Sequence, residues 1–495
     1  MKITIYTFLI FISTSVFGRQ TEKHWVYYQD TVTATSCRDS MEVWGITETY
    51  YSEWLNASSV SINNSQRELL LSHDQLKIRK QGNLIPNDFA EDSDEKLSYA
   101  LEQIGANHFI DNNLTGKGVK IGIIDGGFLG APDNHNLSHF FSNKQIAAYK
   151  DFITPKLKAY GGNSNLDDQH GTEVWEMLGG HSIKKKIRYG MATGATYYLA
   201  RTDHGAGEKR IEEEYFVQAL EWMHEKGVRL VNTSLGYTNG YDKESENYTP
   251  NQMDGSSGIA KATQYAIEHK GMVIVGAAGN EGNLPWKVIN TPADAKDVIA
   301  VGASKNKLLD KMSYSSIGPL YLNYLKPELT CYSSTGTSFA APIITGLIAC
   351  MMEYNKTLTN KQIREILLQS CDLYPYGNNY VGYGNPNGEK IIKWLKNDQA
   401  IRSDVKTIQI KPARISINRL LGKPPKKLVK YKFKPKGKSL VIYHKYDGWK
   451  VLEKKITIHE NGRLQIRKPE KATQTTIVDG NNVYELFWNE PNGNF

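Results

Sequence analysis

The stretch that most constrains this chain is Thr335-Gly336-Thr337-Ser338-Phe339-Ala340-Ala341-Pro342, which runs straight into Ile343-Ile344-Thr345-Gly346-Leu347-Ile348-Ala349-Cys350-Met351-Met352. An uncharged run of this length reads as a helix, and a helix apolar on nearly every face has to be buried in a large core. Pro342 is expected in the first turn, where its missing N–H costs nothing. Ser338 then sits at the N-terminal end of a rigid helix, where negative charge is favoured. A serine hydroxyl is a weak nucleophile, so this placement carries chemistry only if a base lies within reach.

Two other segments can supply that base and orient it. Val119-Lys120-Ile121-Gly122-Ile123-Ile124-Asp125-Gly126-Gly127 reads as a buried strand ending in a carboxylate and a tight glycine turn. Asp168-Gln169-His170-Gly171-Thr172-Glu173-Val174 puts a histidine at the start of a helical segment. Acyl transfer needs a nucleophile, a base to take its proton and a group to hold the base in one tautomer. Ser338, His170 and Asp125 can fill those roles, and Asp, His, Ser is one of three chain orders that build this geometry. Any one of them alone would say little, since a serine at a helix start is ordinarily a cap.

Between about 97 and 396 the pattern alternates. Apolar strand-like runs occur at 119–125, 196–200, 229–233, 272–277 and 297–302, with helical patterns at 172–178, 211–226 and 257–269 between them. Short, continuously apolar strands separated by amphipathic helices imply an α/β domain: a parallel sheet covered on both faces. Ligands of such sheets gather at the carboxyl ends of strands, where Asp125, Ser234 and Asn280 all fall.

In these motifs the chain resembles the subtilisin-like serine proteases, or subtilases, whose signatures read roughly D-[TS]-G, H-G-T-x-V and G-T-S-x-A-x-P. The resemblance extends over about residues 95 to 396 and departs at Gly126, where the family usually carries Thr or Ser. It implies a subtilisin-like sheet and peptide hydrolysis through an acyl-enzyme. Asn280, in Gly276-Ala277-Ala278-Gly279-Asn280, is similar to the family residue whose side-chain amide stabilises the oxyanion, with the Ser338 N–H as second donor. Ser234-Leu235-Gly236 resembles the segment that pairs with an extended peptide substrate. Ala277, Ala278 and Gly279 would line the primary pocket, with its base drawn from Glu281 to Ala293. The family's chemistry needs no cofactor. Many members bind structural calcium after the catalytic histidine, but the matching segment here, His181 to Arg188, is basic, and a calcium site is not readable. An acidic loop with Asp242, Glu244, Glu246 and Asp254 reads as solvated.

The flanks follow from composition. Met1 to Gly18 reads as a secretory signal, a lysine followed by a short apolar run and small residues, which predicts a secreted or cell-surface protein without a transmembrane segment. Residues 19–82 alternate strand and helix patterns and resemble the α+β inhibitory propeptide of the family, which templates folding and blocks the site until cut. Residues 83–96, with Pro86 and the acidic run Glu91 to Glu95, read as the linker where maturation occurs. Beyond 396, strand-like runs at 439–443, 455–458 and 483–488, with Asp447-Gly448 and Asn461-Gly462 as turn signals, predict a small all-β domain. The net charge of +8 belongs to this tail: from Ile401 onward there are 21 Lys/Arg against 8 Asp/Glu. The basic balance is therefore no nucleic-acid signature for the whole chain, though the tail could contact an anionic surface or the secretion machinery. Cys37, Cys331, Cys350 and Cys371 give no readable disulfide framework, and metal-ligand spacings such as C-x-x-C are absent. A catalytically dead scaffold acting as a secreted binding protein is the alternative to a working peptidase; the intact set of motifs argues against it.

Overall fold

The computed structural model describes residues 21–488 except 42, 73–75, 81–82, 85–93, 162–165, 205–208, 306–308, 398–400, 411–429, 434, 436–438, 447–450, 458–463 and 470. The signal segment and both C-terminal turn signals lie outside the described residues. The chain divides into two compact units: residues up to 51 with 56–80, and residues 52–55 with 81 onward.

The smaller unit is a four-stranded sheet ordered Thr47–Ser52, Ala57–Ile62, Glu22–Tyr28, Leu76–Lys80, with helices Thr31–Met41 and Asn64–Leu71. Val26, Ala34, Met41, Val60, Leu70 and Leu76 form its core. Asn63 and Gln66 close a reciprocal capping box at the start of the second helix.

The larger unit is built on seven parallel strands in the order Leu329–Tyr332, Ile299–Ser304, Val273–Ala277, Leu230–Thr233, Lys120–Asp125, Thr196–Arg201, Ile146–Asp151. The five runs anticipated from the sequence form the middle of this sheet, and the two outermost strands are additions to that reading. One core packs helix Thr337–Tyr354 and helix Leu166–Gly179 against the sheet, and the other packs helices Ile211–Glu225 and Gly258–Lys270. Thr337–Tyr354 is the one helix among the described residues long and apolar enough to cross a membrane, and it is 89% buried within the protein. A further helix, Asp94–Gln103, begins inside the acidic run read as linker.

The carboxy-terminal region forms a five-stranded all-β sheet ordered Lys406–Gln409, Asn482–Phe487, Gln474–Asp479, Ser439–Lys445, Val451–Thr457. Val441, Tyr443, Val451, Val478 and Val483 pack with Leu309, Leu373 and Val381 of the parallel-sheet region, and the Tyr443 hydroxyl donates to the Leu309 carbonyl at 3.1 Å. The sheet is thus anchored through apolar burial. All four cysteines are buried and unpaired. The acidic loop departs from the solvated reading at Glu246, which is 5% exposed and whose carbonyl accepts from Arg210. Among the described residues no group of three or more His, Cys, Asp or Glu could hold a metal ion.

Candidate active site

Strands Lys120–Asp125 and Leu230–Thr233 are neighbours where the strand order reverses, the place at which an open parallel sheet leaves a crevice beyond its carboxyl ends. Asp125 ends the first of these strands and is fully buried. Its Oδ1 accepts from His170 Nδ1 at 2.6 Å and from the Gly126 N–H at 2.8 Å. Gly126 carries no hydroxyl, and Asp125 Oδ2 has no partner among the described residues.

His170 sits in helix Leu166–Gly179. The helix reaches the strand end because residue 171 is a glycine: a Cβ there would collide with the Gly127 carbonyl and lie 2.9 Å from Asp125 Cβ. The imidazole packs on the Phe339 ring at a centroid distance of 5.8 Å. Burial pushes the imidazole pKa down. The charge and hydrogen bond of Asp125, helped by the charges of Glu173 and Asp203, outweigh burial, and the net shift is upward.

Ser338 is the second residue of helix Thr337–Tyr354, behind the N-cap Gly336. Its hydroxyl donates to the Ser234 carbonyl at 3.2 Å, and the Ser234 hydroxyl donates to the Ser338 carbonyl at 2.8 Å. Asn232 Nδ2 supports Ser234 Oγ at 3.1 Å, and Thr345 Oγ1 in turn donates to Asn232 Oδ1 at 2.8 Å. Pro342 explains why the Ser338 carbonyl is open to this bond. It lies inside the helix, one turn later than the sequence suggested. Its absent N–H is the one that would have bonded the carbonyl four residues back, at Ser338. The proline therefore releases an acceptor that Ser234 takes.

Asn280 follows strand Val273–Ala277, and its Oδ1 accepts from the Thr337 N–H at 2.8 Å and from Thr337 Oγ1 at 3.1 Å. Those bonds fix the amide so that Nδ2 remains its donor, with no acceptor among the described residues. Gly279 adopts φ +106°, a conformation that L side chains rarely take, while its N–H is held by Thr337 Oγ1 at 3.0 Å. Leu235 is 5% exposed, and Gly236 abuts Asn290, whose amide a Cβ at 236 would strike. Ala277 and Ala278 are buried, at 3% and 0% exposed, so any pocket beside them is walled by backbone and small side chains. Beyond them Glu281 is buried, its Oε2 accepting from Ser316 Oγ at 2.9 Å and the Asn280 N–H at 2.8 Å. Burial raises the Glu281 pKa. Trp286 is buried too, whereas Lys287 is exposed.

The structure thus brings Asp125 and His170 into direct contact. Ser338 is hydrogen-bonded to Ser234, and Thr337, the residue before it, to Asn280. Phe339, the residue after it, packs on the His170 ring, while the Ser338 hydroxyl itself is turned to the Ser234 carbonyl. Sequence reasoning missed Asn232, Thr337 and a buried cation, Arg201. The signal for Arg201 was a charged residue closing the apolar run Tyr197-Tyr198-Leu199-Ala200.

A family model for the subtilase family matches residues 116–384. Subtilisin NAT from Bacillus subtilis subsp. natto is 26% identical over 301 residues, covering 59% of this chain and 70% of that protein. Minor extracellular protease Epr from Bacillus subtilis is 28% identical over 312 residues, 60% of this chain and 42% of its own length. Among solved structures, fervidolysin from Fervidobacterium pennivorans has a TM-score of 0.56 at 16% identity, covering 92% of this chain and 70% of that one. The epidermin leader peptide processing serine protease from Staphylococcus aureus has a TM-score of 0.56 at 17% identity, covering 77% and 100%. On the strength of the matched family model and of the subtilisin-like sheet, this chain belongs to the subtilase family of serine endopeptidases.

Proposed function

We propose that the chain is a secreted endopeptidase made as a zymogen, with Asp125, His170 and Ser338 as its catalytic residues. His170 takes the proton of the Ser338 hydroxyl as that oxygen attacks a peptide carbonyl. Asp125 holds the imidazole in the tautomer whose Nε2 is the acceptor, and stabilises the imidazolium that forms. The Asn280 amide and the Ser338 N–H carry the developing oxyanion. His170 returns the proton to the leaving amine, and water then releases the acyl group by the reverse sequence.

The observation that carries this reading is the 2.6 Å His170–Asp125 bond at the strand end where the sheet opens. The Asn280–Thr337 clasp beside Ser338 supports the oxyanion assignment. Substrate would bind along Ser234-Leu235-Gly236, main chain against main chain, with selectivity left to side-chain pockets. The zymogen reading is supported by a short pairing: Asn83–Leu84 runs antiparallel to Tyr237–Thr238, the residues that continue that same segment. Residues 19–82 would then act as intramolecular inhibitor until the linker is cut. The extracellular name carried by one relative favours secretion. The basic carboxy-terminal sheet is the part free to engage an anionic surface.

Intact mass and N-terminal sequencing of the secreted wild type and of Ser338→Ala test this. The wild type is expected to lose the signal and the propeptide and to cleave peptides. The variant is expected to keep residues 19–82 and to be inactive.

A further inference from the structure

Asp125 and His170 are 45 residues apart in the chain, and something must fix the strand end against the helix that carries the imidazole. Arg201 is placed to do so. It ends strand Thr196–Arg201, is 3% exposed, and in register stands level with Asp125 on one neighbouring strand and Asp151 on the other. Its guanidinium makes three bonds in three directions. Nε donates to the Gly126 carbonyl at 3.0 Å, Nη1 to Asp151 Oδ2 at 3.1 Å, and Nη2 to Asp168 Oδ1 at 2.8 Å.

Each of those acceptors is tied to a different part of the site. Gly126 is the residue after Asp125 and donates its own N–H to the Asp125 carboxylate. Asp168 lies two residues before His170, and its carbonyl accepts from the Leu129 N–H at 2.7 Å. Asp151 Oδ1 caps the turn after its strand by accepting from the Ile153 and Thr154 N–H groups at 2.9 and 2.8 Å. The residue after Arg201 completes the frame, since the Thr202 N–H donates to the Asp125 carbonyl at 3.1 Å.

Such a cluster is a poor stability device, because taking three charges out of water offsets most of what their attraction returns. What it does supply is direction: a planar fork with fixed angles, which lysine cannot reproduce. We propose that Arg201, together with Asp168, is a positioning residue that sets the Asp125 turn against the His170 helix, so that the imidazole stands at the angle proton transfer requires. This inference rests on Asp125 and His170 being the catalytic pair.

The test uses the full chain with three variants. Asp168→Ala cuts the link to the histidine helix while leaving Arg201 paired with Asp151. Arg201→Lys keeps the charge and loses the fork. Arg201→Met removes both and strands two buried carboxylates, so the first two variants carry the test if it does not fold. Steady-state peptide hydrolysis is read beside the rate at which a fluorophosphonate labels Ser338, with thermal unfolding as the check on folding. Misplacing a reacting group by about 1 Å costs on the order of 100-fold, so kcat and labelling rate are expected to fall about 10- to 100-fold in Asp168→Ala and Arg201→Lys, with KM within about twofold. Folded variants that keep wild-type kcat and labelling rate overturn the positioning role and leave the triad reading standing. A wild-type chain that neither labels nor cleaves overturns the triad reading, and the positioning role with it.

Discussion

Ser234 and Ser338 hold each other through two reciprocal bonds: each hydroxyl donates to the other's carbonyl, at 2.8 Å from Ser234 and 3.2 Å from Ser338. One of these exists because Pro342 cannot occupy the Ser338 carbonyl from within the helix. Ser234→Ala leaves that carbonyl buried without its donor and is expected to cost about 1–3 kcal/mol. Pro342→Ala restores an N–H able to reach it, so the two substitutions should be non-additive, with Ser234→Ala costing less in the Pro342→Ala background. Denaturant unfolding of the four forms measures this, and strict additivity would contradict it.

Asn280 is oriented by Thr337 rather than by solvent, which leaves its amide nitrogen as the donor. Replacing it with Ala should lower kcat by about 100- to 1,000-fold with little change in KM, because the bond is made to the oxyanion and not to the bound peptide. A variant whose loss falls on KM alone would move Asn280 into substrate binding.

The pH profile follows from the balance at His170. Catalysis needs the neutral imidazole, and although burial pushes its pKa down, Asp125 wins and the net shift is upward from 6.5. The acidic limb of kcat/KM should therefore lie above the ordinary histidine value, with activity rising as pH passes through it. Asp125→Asn removes the main upward influence and leaves burial opposed only by the charges of Glu173 and Asp203, so the limb should move down. By the precedent of the same substitution in another triad protease, kcat should fall about 10,000-fold. A limb unmoved by Asp125→Asn would disconnect the pair.

Tyr443 joins the carboxy-terminal sheet to the parallel-sheet region through Leu309, Leu373 and Val381. Tyr443→Ala should destabilise the chain by about 3 kcal/mol, as for other large buried aromatics. A chain ending at Asn397 exposes that apolar face and should unfold at lower denaturant or aggregate. Wild-type stability in the truncated form would make the sheet a detachable appendage.

Which parts were legible in the sequence has physical causes. The five inner strands are continuously apolar because neighbours and helices cover them, and periodicity finds such runs. The two outermost strands escaped notice. Ile146–Asp151 is half-exposed along most of its length, and Leu329–Tyr332 is only four residues long. Helix Thr31–Met41 carries three Thr and two Ser, weak helix formers that packing overrides. The triad motifs were readable because each is local. The Arg201 cluster was not, since its partners lie 33, 50 and 75 residues away and meet only through the sheet register. Pro342 was misplaced by one turn for a similar reason: the bond that excuses it comes from Ser234, 104 residues from Ser338.

The most direct test is to treat the secreted chain with a fluorophosphonate and map the modified peptide by mass spectrometry, beside peptide hydrolysis by Ser338→Ala. One adduct on Ser338, and loss of both labelling and hydrolysis in the variant, is the predicted result. Hydrolysis that survives in Ser338→Ala, or an adduct on another residue with Ser338 untouched, would contradict it.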